Sequence, residues 1–389
     1  MKILHIIPSY LPATYASGPI KPTHYLNKAL VKKGVEVFIY TMNMDEKRKL
    51  NVPLEKEVNL DGVKVYYFPM SFLPWQYSYR LHQALAKNIK NFDLIHITSV
   101  FLSVSTLGAY YAKKFKKPYI ISPHGSLMAE PLKRRSLKKQ IYIDFVEKIN
   151  LKNASAVHFL TDREKEDYLK TSLPIKKSIV VPNSLDTKEF KEGSPTGFFR
   201  EKFKIPRNKK TILFMGRLHW IKGLDTLISA FGDAVNDYPD SILVLAGQDD
   251  GYKEKAEKMI KDGNLKNSVI FTGPIWGKEK IAALSESNLF ALASYSEDCP
   301  MVMIEAMHFG LPVIITKNNG LSPYVIKVNS GLVVEKNREQ LRQAILKLLK
   351  NADLAAKMGE AGRELVKKEF SPELVAERFI KAYNKIITP

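Results

Sequence analysis

The sequence predicts an α/β protein of two doubly wound parallel-sheet domains, and three observations carry that expectation. The chain has 389 residues, more than one ordinary domain, so two domains of about 190 are expected. It opens with an apolar strand from Lys2 to Pro8 and a Gly/Pro/Ser loop from Tyr10 to Pro19. A helix from Ile20 to Lys33 follows, stopped by Gly34, and then a second strand from Val35 to Tyr40. That order is the βαβ opening of a doubly wound sheet, which binds ligands at the carboxyl ends of its strands. The same rhythm restarts after a polar Gly/Pro-containing stretch, Lys191 to Pro195, with a strand from Thr211 and a helix from about Gly223.

The rest of the first half follows that pattern. Asp93 to Thr98 reads as a strand, followed by a helix of small residues to about Lys114. Pro118 to Ser122 is the next strand and delivers Pro123-His124-Gly125 at its carboxyl end; His96 also stands near a strand end. Ala156 to Phe159 is a strand, Asp162 to Lys170 a helix, and Ile179 to Asn183 the strand leading out. Two segments stand apart. Between Tyr66 and Arg80 lie Tyr66, Tyr67, Phe68, Phe72, Trp75, Tyr77 and Tyr79, broken by Pro69 and Pro74. They are either core or an exposed aromatic lip touching lipid or acceptor. Residues 132–150 place Leu132, Leu137, Ile141, Phe145 and Ile149 near a four-residue period behind Lys133, Arg134, Arg135, Lys138 and Lys139. This is an amphipathic helix with a basic beginning, either solvated or lying on a membrane surface.

In the second half, Ile242 to Gly247, Val269 to Gly273, Phe290 to Leu292, Val313 to Ile315 and Gly331 to Val334 read as strands. Helices run from about Arg338 to Lys350 and from Leu354 to Lys368, and a last one from Ser371 to Ile387.

Composition bounds the function. Hydrophobic residues make up 45% and charged residues 26%, as in a soluble globular protein. A single cysteine excludes an internal disulfide and fits a reducing cytoplasm. The N-terminal apolar run is too short for a signal peptide, and no run of about 18 apolar residues exists to span a membrane. Net charge is +20, and residues 1–195 supply +14 of it, with 31 Lys and Arg against 17 Asp and Glu. So basic a half expects an anionic partner, nucleic acid or an acidic membrane surface.

The chemistry concentrates between Ser294 and Thr316. After the strand ending at Leu292 come Glu297, Asp298, Cys299, Pro300, Met301 and Val302. A short apolar helix then carries Glu305 and closes at Gly310, before Pro312. Asp298 suits the N-cap and Pro300 the first turn. Glu305, inside an apolar helix, needs either a nearby Lys or Arg or a polar ligand, because an unpaired buried charge is costly. A second cluster is Gly216-Arg217-Leu218, three residues, then Lys222-Gly223-Leu224-Asp225. It sets two cations beside a helix N-terminus, where a phosphate would sit.

Glu297, seven residues, Glu305-Ala306, then Gly310-Leu311-Pro312-Val313 resembles the signature of the retaining glycosyltransferases of family 4, which have the GT-B fold. The run from Gly216 through Lys222-Gly223 to Ala230-Phe231 matches the same family, as does Asn183-Ser184-Leu185-Asp186 at the end of its first domain. The chain departs from the family in having Asp298-Cys299-Pro300 where Gly-Phe-Gly is usual, and Ser17-Gly18 where two glycines are usual.

The resemblance implies two Rossmann-like domains facing across a cleft: an acceptor-binding domain over 1–190, a nucleotide-sugar-binding domain over 191–370, and a helix over 371–389 crossing back to the first. It implies that Arg217 and Lys222 hold the donor diphosphate and that Glu305 binds the ribose. Glu297 would bind a hydroxyl of the transferred sugar, and His124 would steady that sugar. Gly18 and Gly216 would approach the donor, the loop through Ile275 would cup the base, and Cys299, Pro300, Met301 and Val302 would line the sugar site. No two aspartates stand two positions apart, so the metal-holding Asp-x-Asp is missing and neither metal nor other cofactor is expected. The expected partners are a nucleotide sugar, UDP-linked in preference to GDP-mannose, and a glycan or lipid-linked acceptor; an anionic membrane surface is a further expected partner.

Other readings are weaker. A glycosidase also uses two carboxylates but needs no phosphate clamp. A dinucleotide oxidoreductase would carry Gly-x-Gly-x-x-Gly after a strand, which is missing. A nucleic-acid-binding protein is suggested by the charge alone, with no recognisable module, so no nucleic-acid partner is expected.

Overall fold

The computed structural model describes residues 1–13, 18–46, 48–72, 76–128, 132, 137–190 and 197–388. The chain divides into two compact units, Met1–Ser184 with Pro372–Pro389, and Leu185–Ser371. The division falls inside the Asn183–Asp186 segment, ahead of the stretch Lys191 to Pro195, which lies outside the described residues.

Unit 1 is built on an eight-stranded sheet. Its strands are β1 (Lys2–Ile6), β2 (Glu36–Met42), β3 (Glu57–Leu60), β4 (Val63–Phe68), β5 (Leu94–Thr98), β6 (Tyr119–Ser122), β7 (Ala156–Phe159) and β8 (Ser178–Val180). Their order is β8-β7-β6-β5-β1-β2-β4-β3, and every pairing is parallel except β3 with β4. The side-chain period of two sorts each strand between two cores. Ile3, Leu94 and Ile120 face one side, packed by α1 (Ile20–Lys32); Leu4, Ile6, Ile95 and Ile97 face the other. The second side is covered by α2 (Tyr79–Asn88), α3 (Ser103–Lys114) and a helical run, α4, of Leu137–Tyr142, a π-turn over Ile143–Glu147, and Lys148–Asn153. Helix α5 (Asp162–Leu169) follows β7.

Unit 2 has six parallel strands: β9 (Lys210–Met215), β10 (Ser241–Ala246), β11 (Val269–Gly273), β12 (Leu289–Leu292), β13 (Val313–Thr316) and β14 (Gly331–Val334). They are ordered β11-β10-β9-β12-β13-β14. Buried on both faces, β12 is wholly apolar, and β10 and β13 are apolar apart from Ser241 and Thr316 at their ends, as a parallel sheet favours. Helices α6 (Leu224–Asp237), α7 (Gly277–Glu286) and α8 (Met301–His308) follow β9, β11 and β12. The last helix, α9 (Pro372–Ile387), belongs to unit 1 and packs on α1, with Lys33 Nζ 2.7 Å from Glu377 Oε1.

Several expectations need correction. Pro300, not Asp298, occupies the N-cap of α8, and no side chain caps that helix. The proline's extended backbone already turns the chain into the helix. The edge strand β3 was not foreseen; its alternation of exposed and half-buried residues is too weak a signal. The aromatic segment is neither all core nor all lip. Tyr67 and Phe68 are buried in β4, Phe72 and Tyr79 are more than half exposed, and Pro74 and Trp75 lie outside the described residues. Of the helix expected over 132–150, Leu132 is helical and buried and the described helix α4 runs from Leu137; Lys133, Arg134 and Arg135 lie outside the described residues. Among the described residues, no helix is long and apolar enough to cross a membrane.

Candidate active site

In unit 2 the candidate residues gather where β9, β10 and β12 end. Gly216 follows β9, and the chain then makes a 3-10 turn, Trp220–Lys222, before α6. Gly223 joins the two with φ +65°, and a Cβ there would lie 1.9 Å from Ala293 O. Only glycine permits both the left-handed backbone and that approach. The approach presses the turn against the end of β12, and Tyr295 N–H donates to Ile221 O at 2.8 Å. Lys222 is thereby delivered to Glu297, which accepts from its Nζ through Oε1.

Glu297 is pinned on several sides. Its backbone N–H donates to Asn318 O at 3.1 Å, its carbonyl accepts from Gly320 N–H at 2.9 Å, and Ser294 Oγ donates to Oε1 at 3.1 Å. The Lys222 and Glu297 side chains are only 17% and 11% exposed, so the two charges neutralise each other largely out of water.

Arg217 takes another direction. Its Nη1 donates to Asp250 Oδ2, in the loop after β10, and it is 60% exposed. Glu305, inside α8, takes the Lys partner that its burial demands: Lys280 Nζ on α7 donates to Oε1 at 2.6 Å. Its other oxygen, Oε2, is buried without a hydrogen-bond partner. Lys280 stands one turn into α7, so the ion pair ties α8 to the segment of Ile275, which is buried, and Trp276, which is exposed. Cys299 and Pro300 are buried, and Met301 and Val302 are half-buried.

The structure therefore joins Gly216, Lys222 and Glu297 at one place and Glu305 to the Ile275 segment, and it turns Arg217 toward Asp250. Sequence reasoning missed Lys280, Asp250 and Ser294. Each is an ordinary polar residue with no motif spacing, visible only once the strand ends converge. Among the described residues, no three His, Cys, Asp or Glu side chains are grouped to hold a metal ion.

In unit 1, His124 leaves β6 with φ +51° and Gly125 follows with φ +76°. Buried Glu164 on α5 holds this turn: its Oε1 accepts from Gly125 N–H at 2.6 Å and its Oε2 from Leu160 N–H at 2.7 Å. The sequence does not announce this role, since Glu164 lies 39 residues from Gly125. Glu164→Gln removes one of the two acceptors, and we expect a stability loss of about 1–3 kcal/mol in denaturant unfolding. Unchanged stability would show that the turn is held otherwise.

Behind His124 lie three more imidazoles. His5 and His96 stack with centroids 4.2 Å apart, and His158 meets His96 edge-on at 5.9 Å. His96 Nδ1 lies 2.7 Å from Tyr383 OH of α9 and its Nε2 2.7 Å from Ser122 Oγ, so His96 is a structural residue. Burial first, then the neighbouring imidazoles of His158 and His5, pushes His124 down to about 3, so its ring is neutral at neutral pH. Gly18, with φ +109°, stands exposed just before the α1 N-cap Pro19, and Ser17 lies outside the described residues.

The family described as "Glycosyl transferases group 1" matches residues 196–365, and "Glycosyltransferase Family 4" matches residues 23–189. An uncharacterized glycosyltransferase of Methanocaldococcus jannaschii is 25% identical over 359 residues, covering 87% of this chain and 88% of that one. Among solved structures, sucrose-phosphate synthase from Thermosynechococcus elongatus superposes with TM-score 0.77 at 24% identity, covering 99% of this chain and 98% of that one. Anabaena HepE in complex with UDP-glucose superposes with TM-score 0.75 at 17% identity, covering 99% and 100%. With two α/β units and both family matches in agreement, the chain belongs to the family 4 glycosyltransferases of GT-B fold and is a transferase enzyme.

Proposed function

We propose that this enzyme is a retaining, metal-independent glycosyltransferase that moves a hexose from a UDP-sugar to a glycan or lipid-linked acceptor, in the synthesis of surface polysaccharide or glycolipid. The observation that carries the donor half is the Lys222–Glu297 pair, set at a strand end beside the α6 N-terminus. Transfer breaks the bond between the anomeric carbon and the diphosphate oxygen, and the electron pair stays on the diphosphate. Charge grows there in the transition state. Fixed cations in a partly dry site stabilise growing charge most, and Lys222 with Arg217 supplies them without a metal. Glu297, held by Ser294 and the backbone, accepts from a hydroxyl of the sugar. Glu305 accepts from the ribose, with Lys280 as its positioning partner. His124 contributes a neutral imidazole, able to accept or donate one hydrogen bond without adding charge. The new bond forms to an acceptor hydroxyl, whose proton passes to the departing diphosphate oxygen.

Retention rests on the family signature around Glu297 and Glu305. The UDP preference is supported by a protein of the same fold, HepE, whose structure holds UDP-glucose. The acceptor reading rests on the basic first half, and it places the enzyme in the cytoplasm at the inner face of a membrane. Calorimetric titration with UDP, GDP, ADP and NAD in EDTA tests the donor reading, and micromolar binding of UDP is the expected result. GDP binding instead would shift the donor to GDP-mannose, and binding of NAD alone would overturn the reading.

A further inference from the structure

The apolar positions of α4 do not face the core. Leu137 is 77%, Ile141 50%, Phe145 72% and Ile149 52% exposed, while Ile143, Glu147 and Leu151 carry the buried face. Single exposed apolar residues are ordinary, but a row of four on one helix is not. A four-residue spacing drifts by about 40° per step around a regular α-helix. Here the wider π-turn over Ile143–Glu147 takes up that drift in the middle of the row, so the stripe stays on one side.

Neighbouring elements extend the same surface. Thr106 Oγ1 lies 2.6 Å from Tyr142 OH, which fixes α3 beside α4. Tyr110, one turn beyond Thr106, is 55% exposed. The charges around these residues are nearly all positive: Lys113 and Lys114 on α3, and Lys138, Lys148 and Lys152 on α4, all exposed. Asp144 is turned to Lys148 and Gln140, and Glu147 is buried against Phe101 N–H.

We infer that this face, Leu137, Ile141, Phe145, Ile149 and Tyr110 within their lysine margin, is the surface by which unit 1 lies on an anionic lipid bilayer. An apolar row flanked by cations that reach outward on long stems is the pattern of a helix lying in a membrane interface. A second copy of the chain is disfavoured as the occupant, because a two-fold contact would set each lysine margin against its own copy. The inference deepens the lipid-linked acceptor reading and, for its purpose, rests on it: the enzyme meets its acceptor where the acceptor is anchored.

The test is co-sedimentation of the full-length protein with phosphatidylcholine vesicles, with and without phosphatidylglycerol. Wild type is expected to bind the anionic vesicles well and the neutral ones weakly. The variant Ile141→Ser/Phe145→Ser/Ile149→Ser should lose at least about tenfold in anionic-vesicle binding, and Lys138→Gln/Lys148→Gln/Lys152→Gln should lose binding in a salt-dependent way. Thermal melting and UDP affinity of both variants should stay at the wild-type values, since no substituted residue touches the donor site. Equal binding of wild type and the serine variant, or equal binding to neutral and anionic vesicles, would overturn the inference. So would a wild-type dimer in sedimentation velocity that the serine variant abolishes, since a second copy would then cover the stripe. UDP binding on the same preparations keeps this failure distinct from failure of the transferase reading.

Discussion

Lys222→Ala is expected to lower kcat/KM by about 10²–10³-fold, the cost of removing one fixed charge from a growing oxyanion. Two effects are entangled in that loss, because Lys222 also neutralises Glu297. Truncating the lysine leaves a carboxylate that is 11% exposed without its cation, which should cost about 2 kcal/mol of stability. The double variant Lys222→Ala/Glu297→Ala separates the two effects. It leaves neither charge buried, so stability should return toward wild type while activity stays at or below that of the single variants. Activity returning along with stability would show the pair to be a structural ion pair, and the donor diphosphate would have to bind elsewhere. Arg217→Ala and Glu305→Ala should each cost about 2 kcal/mol or more of transition-state stabilisation. For Arg217 that requires the side chain to leave Asp250, its partner here. Asp250→Asn should therefore leave the Arg217 contribution intact.

Strand–helix order was legible because burial on both faces leaves continuous apolar runs such as Val313 to Ile315, which glycine or proline then interrupts. The motif glycines were legible for another reason: Gly216, Gly223 and Gly310 stand where the backbone turns or approaches closely, and those demands select glycine. What could not be read was partnership. Nothing in the order of residues says that Lys280, among so many lysines, is the one that meets Glu305, or that Glu164 reaches back to Gly125. Such contacts are set by how loops converge in space. The α4 stripe shows the same limit. A four-residue apolar period announces an amphipathic helix but not which side faces the core, and Ile143, Glu147 and Leu151 won that place.

Unit 1 should lose stability as the pH falls from about 6.5 toward about 4, before most carboxylates titrate. Burial holds His5 and His158 down to about 4, His124 to about 3 and His96 well below its usual value. Their hydrogen bonds run to Asn27, Thr98, Ser122, Tyr383 and Val181 O. None of these partners is a carboxylate that would welcome the proton. The unfolded chain takes up protons near 6.5, so in this window it binds more protons than the fold and stability falls with pH. One imidazole moved from 6.5 to about 4 corresponds to about 3 kcal/mol. Four neighbours do not add fully, yet several kcal/mol is a large part of an ordinary folding free energy. The melting temperature should therefore drop by about 10 °C between about pH 7 and about pH 5. His158→Gln can still hydrogen-bond but cannot take a proton, so it should flatten the profile even if its own melting point at neutral pH is lower. A wild-type melting point that stays level across the window would mean that the imidazoles are protonated inside the fold. The neutral state assigned to His124 would then fail with it.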